Sequence, residues 1–134
     1  MHIVLIDNDL ESRIILASSL KRRGFHVDEF TSYSDANKTL SKHQHYLFLI
    51  DPQTLETNSY LDFGKFSKQF NASTIIIISV DDSIQALDNA FQNNVFHYIV
   101  KPFDLTDVLK KIQLTVSDSK QAASTDKIHD QSKH

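Results

Sequence analysis

The chain has 134 residues, 40% of them hydrophobic, which suffices for one domain with one core but not for two ordinary domains. Its net charge of −3, from 14 basic and 17 acidic residues, disfavours direct nucleic acid binding, and no apolar run approaches the roughly 20 residues that span a bilayer. The absence of cysteine excludes disulfides and thiolate zinc sites, and two glycines are too few for dinucleotide-binding or Walker-type loops. We therefore expect one cytoplasmic domain that contacts neither membrane nor nucleic acid.

Short apolar runs alternate with segments of helical spacing from the start of the chain to about residue 117. Four runs lack the polar–apolar alternation of half-exposed strands, which is typical of parallel strands buried on both faces. They lie at 3–6, 46–50, 75–78 and 98–100, and a weaker alternating run at 25–30 predicts an edge strand. The helical segments are 10–23, 33–42, 60–70, 84–92 and 105–115.

Five strand–helix units in succession predict an α/β fold with a doubly wound parallel sheet. We expect the flavodoxin-like strand order 2-1-3-4-5, with helices on both faces. Gly24 is predicted to end the first helix, and Asp9, Asp82 and Asp104 are predicted helix N-caps. The sequence becomes polar near its end, which predicts a domain at 1–117 followed by a flexible tail or linker at 118–134.

Four of the predicted strands are followed by side chains suited to phosphate chemistry. These residues are Asp7, Asp51, Ser79 and Lys101. Ligands of open parallel sheets bind at the carboxyl ends of the strands, and the predicted order makes the strands that precede Asp7 and Asp51 neighbours. Two adjacent acids repel each other and need a compensating cation such as Mg²⁺, which also holds phosphate oxygens. Lys101 can balance phosphoryl charge from the other side.

From about residue 2 to residue 116, the chain resembles a response-regulator receiver domain of two-component signal transduction. The similarity is carried by Leu5-Ile6-Asp7, Leu49-Ile50-Asp51, Ser79 after its strand, and Tyr98-Ile99-Val100-Lys101-Pro102-Phe103. The resemblance implies that Asp51 is the phosphoacceptor, that Lys101 contacts the phosphoryl group, and that Ser79 and Tyr98 form the switch. It also implies an Mg²⁺ site made of Asp7, Asn8, Asp51 and the backbone carbonyl of Gln53, and a cis peptide bond between Lys101 and Pro102.

The same resemblance implies the partners. Asp51 would receive its phosphoryl group from a phosphohistidine of a sensor histidine kinase or a phosphotransfer protein in a phosphorelay. The signal would leave through the face of the fourth helix, fifth strand and fifth helix, toward an output domain, a partner protein or a second copy in a homodimer. A domain of this kind is not expected to be an enzyme.

Several positions depart from the family pattern. Asn8 stands where the family usually has a second acid, and one missing charge should weaken Mg²⁺ binding. Asp9 is expected to cap the first helix rather than to replace Asn8. Pro52 removes a backbone N–H beside Asp51, and Val80 is bulkier than the residue usual beside the sensing hydroxyl.

Because of these departures, an alternative function stays open. The domain would then be a pseudo-receiver, which keeps the fold but acts as a phosphorylation-independent interaction module. A phosphatase of the haloacid-dehalogenase type, with Asp7 as nucleophile and Asp9 as acid, is disfavoured because its acidic pair should follow the lysine. A zinc site at His43 and His45 is also disfavoured, because no acidic or thiolate partner is near them in the sequence.

Overall fold

The chain forms a parallel five-stranded sheet in a computed structural model, which describes residues 2–54, 59–70 and 72–117. The strands are β1 (His2–Ile6), β2 (His26–Phe30), β3 (Leu47–Ile50), β4 (Thr74–Ser79) and β5 (His97–Val100). Their order is β2-β1-β3-β4-β5, and all four pairings are parallel. The predicted flavodoxin-like fold is confirmed. The tail predicted at 118–134 lies outside the described residues.

Helices follow the strands in the predicted alternation. They are α1 (Leu10–Arg22), α2 (Tyr33–Thr39), α3 (Ser59–Gln69), α4 (Ile84–Gln92) and α5 (residues 105–117), with a short 3₁₀ helix at Pro52–Thr54. The chain divides into two units, and the second begins at Phe103 and contains α5. Within the described residues, no helix combines the length and apolar character needed to cross a membrane.

The helix ends explain most differences from the predicted boundaries. Helix α2 was predicted to reach residue 42 but ends at Thr39, because Leu40 adopts extended backbone angles and buries its side chain. The backbone N–H of Ser41 donates to the Tyr46 hydroxyl at 3.0 Å, and this bond replaces the one that a helix carbonyl would accept if α2 continued. Asn94, with φ of 62°, ends the turn after α4 in the left-handed region that asparagine tolerates better than most residues.

The predicted caps are confirmed at two helices and wrong at one. Asp9 accepts hydrogen bonds from the Glu11 N–H and the Ser12 hydroxyl, as a cap of α1 should. Asp104 accepts from the N–H of Asp107 at 3.2 Å at the start of α5. Asp82 does not cap α4, because the next residue, Ser83, accepts from the Ala86 N–H at 3.1 Å.

One core cluster places aromatic rings against the central strands. Phe48 on β3 lies 5.2 Å from Phe66 and 5.3 Å from Phe70, measured between ring centroids, and both partners are buried. Tyr33 stacks on Phe66 at 4.8 Å. Edge-to-face and offset ring pairs of this kind add about 0.5–1.5 kcal/mol each beyond their buried area. This packing holds α3 against β3, the strand that Asp51 follows.

Candidate functional site

The predicted site residues occupy the carboxyl ends of the strands because the backbone ladder continues one residue past each strand. The Asp7 N–H donates to the Phe30 carbonyl at 3.1 Å, and the Asp51 N–H donates to the Ile6 carbonyl at 2.9 Å. At the far side of the sheet, the Lys101 N–H donates to the Ser79 carbonyl at 2.8 Å. These bonds hold the two acids side by side and aim them at the same edge.

A lysine lies between the two acids. The Lys101 Nζ is 3.0 Å from Asp7 Oδ2 and 2.9 Å from Asp51 Oδ2, and the Lys101 side chain is only 8% exposed. The outer carboxylate oxygens accept backbone hydrogen bonds, Asp7 from the Asp9 N–H at 2.8 Å and Asp51 from the Gln53 N–H at 2.9 Å. Buried charges persist only when they are paired and hydrogen-bonded, and both conditions hold here.

The electrostatics of the cluster leave an excess of negative charge. Burial raises the pKa of Asp7, although the Asp9 N–H and Lys101 act in the opposite direction. Burial alone would lower the pKa of Lys101, but its hydrogen bonds to Asp51 and Asp7 outweigh burial and raise it. Asp9, whose carboxylate is 3.8 Å from the lysine, has a lowered pKa because the Ser12 hydroxyl donates to it. One lysine thus faces three carboxylates, an arrangement that favours a further cation.

The donor set at this edge fits a hard divalent cation. Asp7 and Asp51 offer carboxylate oxygens, Asn8 is exposed in the turn between Asp7 and Asp9, and Gln53 is exposed in the 3₁₀ helix beside Asp51. Oxygen donors of these types are the ligands that Mg²⁺ prefers. Asp9 itself belongs to the α1 cap, as expected.

Ser79 and Tyr98 meet through one backbone segment rather than directly. The Ser79 hydroxyl accepts from the Asp81 N–H at 3.1 Å, and the Tyr98 hydroxyl donates to the Asp81 carbonyl. Ser79 is 1% exposed, and Ser79 and Tyr98 both line a small cavity of about 10 Å³. The cavity is lined by Pro52, Gln53, Phe63, Ile77, Ser79, Asp81, Ala86, Asn89 and Tyr98.

The departures from the family pattern have simple structural outcomes. Val80 is 59% exposed, so its side chain is directed largely to solvent. Pro52 is buried at the start of the 3₁₀ helix, and the next residue supplies the N–H that Asp51 accepts. The peptide bond between Lys101 and Pro102 is cis, as the resemblance implies.

Arg13 on α1 is a site neighbour that sequence reasoning missed. Its Nη1 donates to the Asp7 carbonyl at 2.7 Å, and its Nε lies 3.6 Å from Glu29 Oε1 on β2. It therefore ties the backbone of Asp7 to the neighbouring strand. The sequence spacing places Arg13 one helical turn after the cap Asp9, on the same side of α1, but it does not show that this side faces Asp7.

The strand order and the Asp–Lys–Asp cluster define a flavodoxin-like module with a charged site at the carboxyl ends of β1, β3 and β5. Residues 3–113 match the response regulator receiver domain, and the chain belongs to this family. It is thus a receiver domain of the two-component response regulators.

Known proteins agree with this assignment. The chain is 25% identical over 113 residues to the DNA-binding transcriptional regulator NtrC of Proteus hauseri, a match that covers 84% of this chain but only 24% of that regulator. A CheY-like receiver domain protein from Methanospirillum hungatei has a TM-score of 0.80 at 17% identity, over 90% of this chain and 97% of that one. A Burkholderia pseudomallei response regulator solved with a phosphorylated aspartic acid, calcium and citrate has a TM-score of 0.71 at 18% identity, over 93% and 74% of the two chains. At such identities, the two structures show a shared fold.

Proposed function

We propose that this receiver domain accepts a phosphoryl group on Asp51 from a phosphohistidine of a sensor histidine kinase or phosphotransfer protein. A carboxylate oxygen of Asp51 would form the new bond to phosphorus in line with the breaking phosphorus–nitrogen bond, and the donor imidazole would leave with the electron pair. The observation that carries the proposal is Lys101 lying 2.9 Å from Asp51 and 3.0 Å from Asp7. The phosphorylated aspartic acid of the Burkholderia protein is in keeping with it.

The residues around Asp51 would stabilise the charge that develops on the phosphoryl oxygens. Lys101 is held as a cation and can exchange one carboxylate for a phosphoryl oxygen without leaving the cluster. Asp7, Asn8, Asp51 and the Gln53 carbonyl would hold Mg²⁺, which supplies additional positive charge when bound. In this role the domain accepts and presents a phosphoryl group, and it is not itself an enzyme.

We also propose that Ser79 and Tyr98 carry the signal. A phosphoryl group would draw the Ser79 hydroxyl away from the Asp81 N–H, and the same backbone segment holds the Tyr98 hydroxyl. Such a change biases an equilibrium between two states of the surfaces of α4, β5 and α5. These surfaces would contact an output domain, a partner protein or a second copy. The absence of cysteine agrees with a cytoplasmic location for this signalling.

The test is intact-protein mass spectrometry after incubation with acetyl phosphate, with and without Mg²⁺. The parent should gain one phosphoryl group in an Mg²⁺-dependent manner, and Asp51→Asn should gain none. Asp35→Asn, which alters an exposed acid in the first turn of α2, is the matched control and should label as the parent does. Equal labelling of Asp51→Asn would refute the assignment of the acceptor.

The pseudo-receiver is the second candidate, because Asn8 replaces an acid and Lys101 already neutralises part of the cluster. It predicts that neither the parent nor Asn8→Asp is labelled by acetyl phosphate, while partner binding is the same in the parent and in Asp51→Asn. Mg²⁺-dependent labelling of the parent would exclude it.

A further inference from the structure

Three metal-ligating side chains lie together at the amino ends of β1 and β2, at the opposite edge of the sheet from Asp51. The Nε2 atom of His2 is 2.7 Å from Asp28 Oδ2, and the Nε2 atom of His26 is 3.6 Å from the same oxygen. One ligand atom from each of the three residues lies within 4.8 Å of the other two. The functional site described above uses none of them.

Strand geometry brings these residues to one face. His26 and Asp28 are two residues apart on β2, so their side chains point to the same side of the sheet. The parallel register pairs His2 with His26, and their rings meet edge to face at 4.2 Å. Because β2 is the edge strand, the cluster is open to solvent, with side-chain exposures of 20% for His2, 40% for Asp28 and 69% for His26.

A second layer orients the more buried histidine. The side-chain amide of Gln44 lies 3.3 Å from His2 Nδ1, and Gln44 Oε1 accepts a hydrogen bond from the Tyr46 hydroxyl, also at 3.3 Å. The Tyr46 ring packs edge to face on the imidazole at 5.0 Å. These contacts direct Nε2 of His2 toward Asp28. Metal-ligating histidines in proteins donate the N–H of the other ring nitrogen to a polar partner, and the Gln44 amide supplies that acceptor when its oxygen turns toward Nδ1.

We propose that His2, His26 and Asp28 bind one divalent transition-metal ion of the Zn²⁺ class, through the two Nε2 atoms and one carboxylate oxygen. With bonds of about 2.0–2.1 Å, tetrahedral ligand atoms are about 3.4 Å apart, between the observed 2.7 and 3.6 Å. Small side-chain rotations therefore suffice. Imidazole donors select this class of ion over Mg²⁺, which prefers oxygen.

Binding would move a proton on His2 and leave one coordination position open. The proton that His2 Nε2 shares with Asp28 shifts to Nδ1, so the neutral imidazole offers its Nε2 lone pair to the ion. Among the residues that the structure describes, three side chains supply ligand atoms, and His26 is exposed, so water fills the fourth position. The site thus resembles an exchangeable metal site rather than a closed structural one.

The test titrates the full chain with zinc chloride alone, using calorimetry and amide and imidazole NMR spectra. The parent should bind one ion at this cluster, with resonance changes at His2, His26 and Asp28 and little change at Asp7 or Asp51. His26→Gln should weaken binding at least about tenfold, since even the loss of an outer partner costs that much. Its side chain is 69% exposed, so the fold should survive, which the amide spectrum checks.

His43→Gln is the matched control, because His43 is exposed in the loop before β3 and lies outside the cluster. It should bind zinc as the parent does. The proposal is overturned if the parent shows no zinc-dependent changes at the cluster, or if His26→Gln binds there with unchanged affinity. Repeating the titration with Asp51→Asn should give the parent result, which separates this site from phosphoryl acceptance.

Discussion

Strand β1 has a charged cluster at each end, and the two clusters differ mainly in burial. Five steps of about 3.3 Å separate His2 from Asp7, or about 17 Å. At the carboxyl end, Asp7 is 2% exposed and is paired with a lysine that is itself buried. At the amino end, Asp28 is 40% exposed and pairs with imidazoles. Water can screen the exposed charges, whereas the buried acids depend on a cation supplied by the protein.

The largest loss of stability should follow removal of the Lys101 charge. Lys101→Met leaves two buried carboxylates facing each other, and we expect a loss of about 3 kcal/mol in the free energy of unfolding. Urea denaturation measures it, and adding Mg²⁺ should restore part of the loss. Lys111→Met removes an exposed pair with Asp107 and should cost less than about 0.5 kcal/mol. Equal losses in the two variants would show that burial does not distinguish these pairs.

The pH dependence of the free energy of unfolding should also depend on the charge of Lys101. Burial lowers the pKa of Lys101, but the hydrogen bonds to Asp51 and Asp7 raise it more, so the folded value exceeds the ordinary 10.5. A raised lysine pKa stabilises the fold fully below the unfolded pKa, and this contribution is lost as the pH rises through the folded pKa. The stability difference between the parent and Lys101→Met should therefore narrow as the pH rises above about 10, where the parent loses the lysine charge. An unchanged difference across this alkaline range would contradict this.

The cluster at the carboxyl end of β1 could be predicted from the sequence, because its prediction requires only the order of the strands and helices along the chain. Asp7, Asp51 and Lys101 each follow a strand, and in a parallel sheet all such positions share one edge. The amino end could not be predicted in this way. It depends on the register that pairs His2 with His26, and a slip of one residue would move a strand's side chains to the other face.

Local details that depend on competing hydrogen-bond partners could also not be predicted from the sequence pattern. Asp82 and Ser83 are both competent caps, and only the backbone path into α4 selects Ser83. Helix α2 ends early because a distant tyrosine, Tyr46, satisfies the N–H of Ser41. The contact of Arg13 with the Asp7 carbonyl requires the phase of α1 relative to β1, which spacing alone does not determine.

A third prediction concerns ion preference at the two ends. Asn8→Asp adds a carboxylate beside Asp7 and should tighten Mg²⁺ binding on the order of tenfold, since such sites are tuned by their charge. Zinc binding at His2 and His26 should not change, because that cluster lies at the other end of β1. Isothermal titration with each ion measures both effects. Unchanged or weaker Mg²⁺ affinity would mean that residue 8 does not face the ion.

The smallest loss of stability is expected for a substitution in the cluster at the amino end of β1. Asp28→Asn removes the exposed charge, but the amide oxygen can still accept the hydrogen bond from His2 Nε2. Because exposed pairs contribute little, the free energy of unfolding should fall by less than about 1 kcal/mol in urea denaturation, against about 3 kcal/mol for Lys101→Met. Zinc affinity should nevertheless drop, since an amide oxygen is a poorer ligand for the ion than a carboxylate. A loss of about 2 kcal/mol or more would show that the fold also depends on the ion pair at the amino end of β1. Exposure would then not explain why the two clusters differ in their contribution to stability.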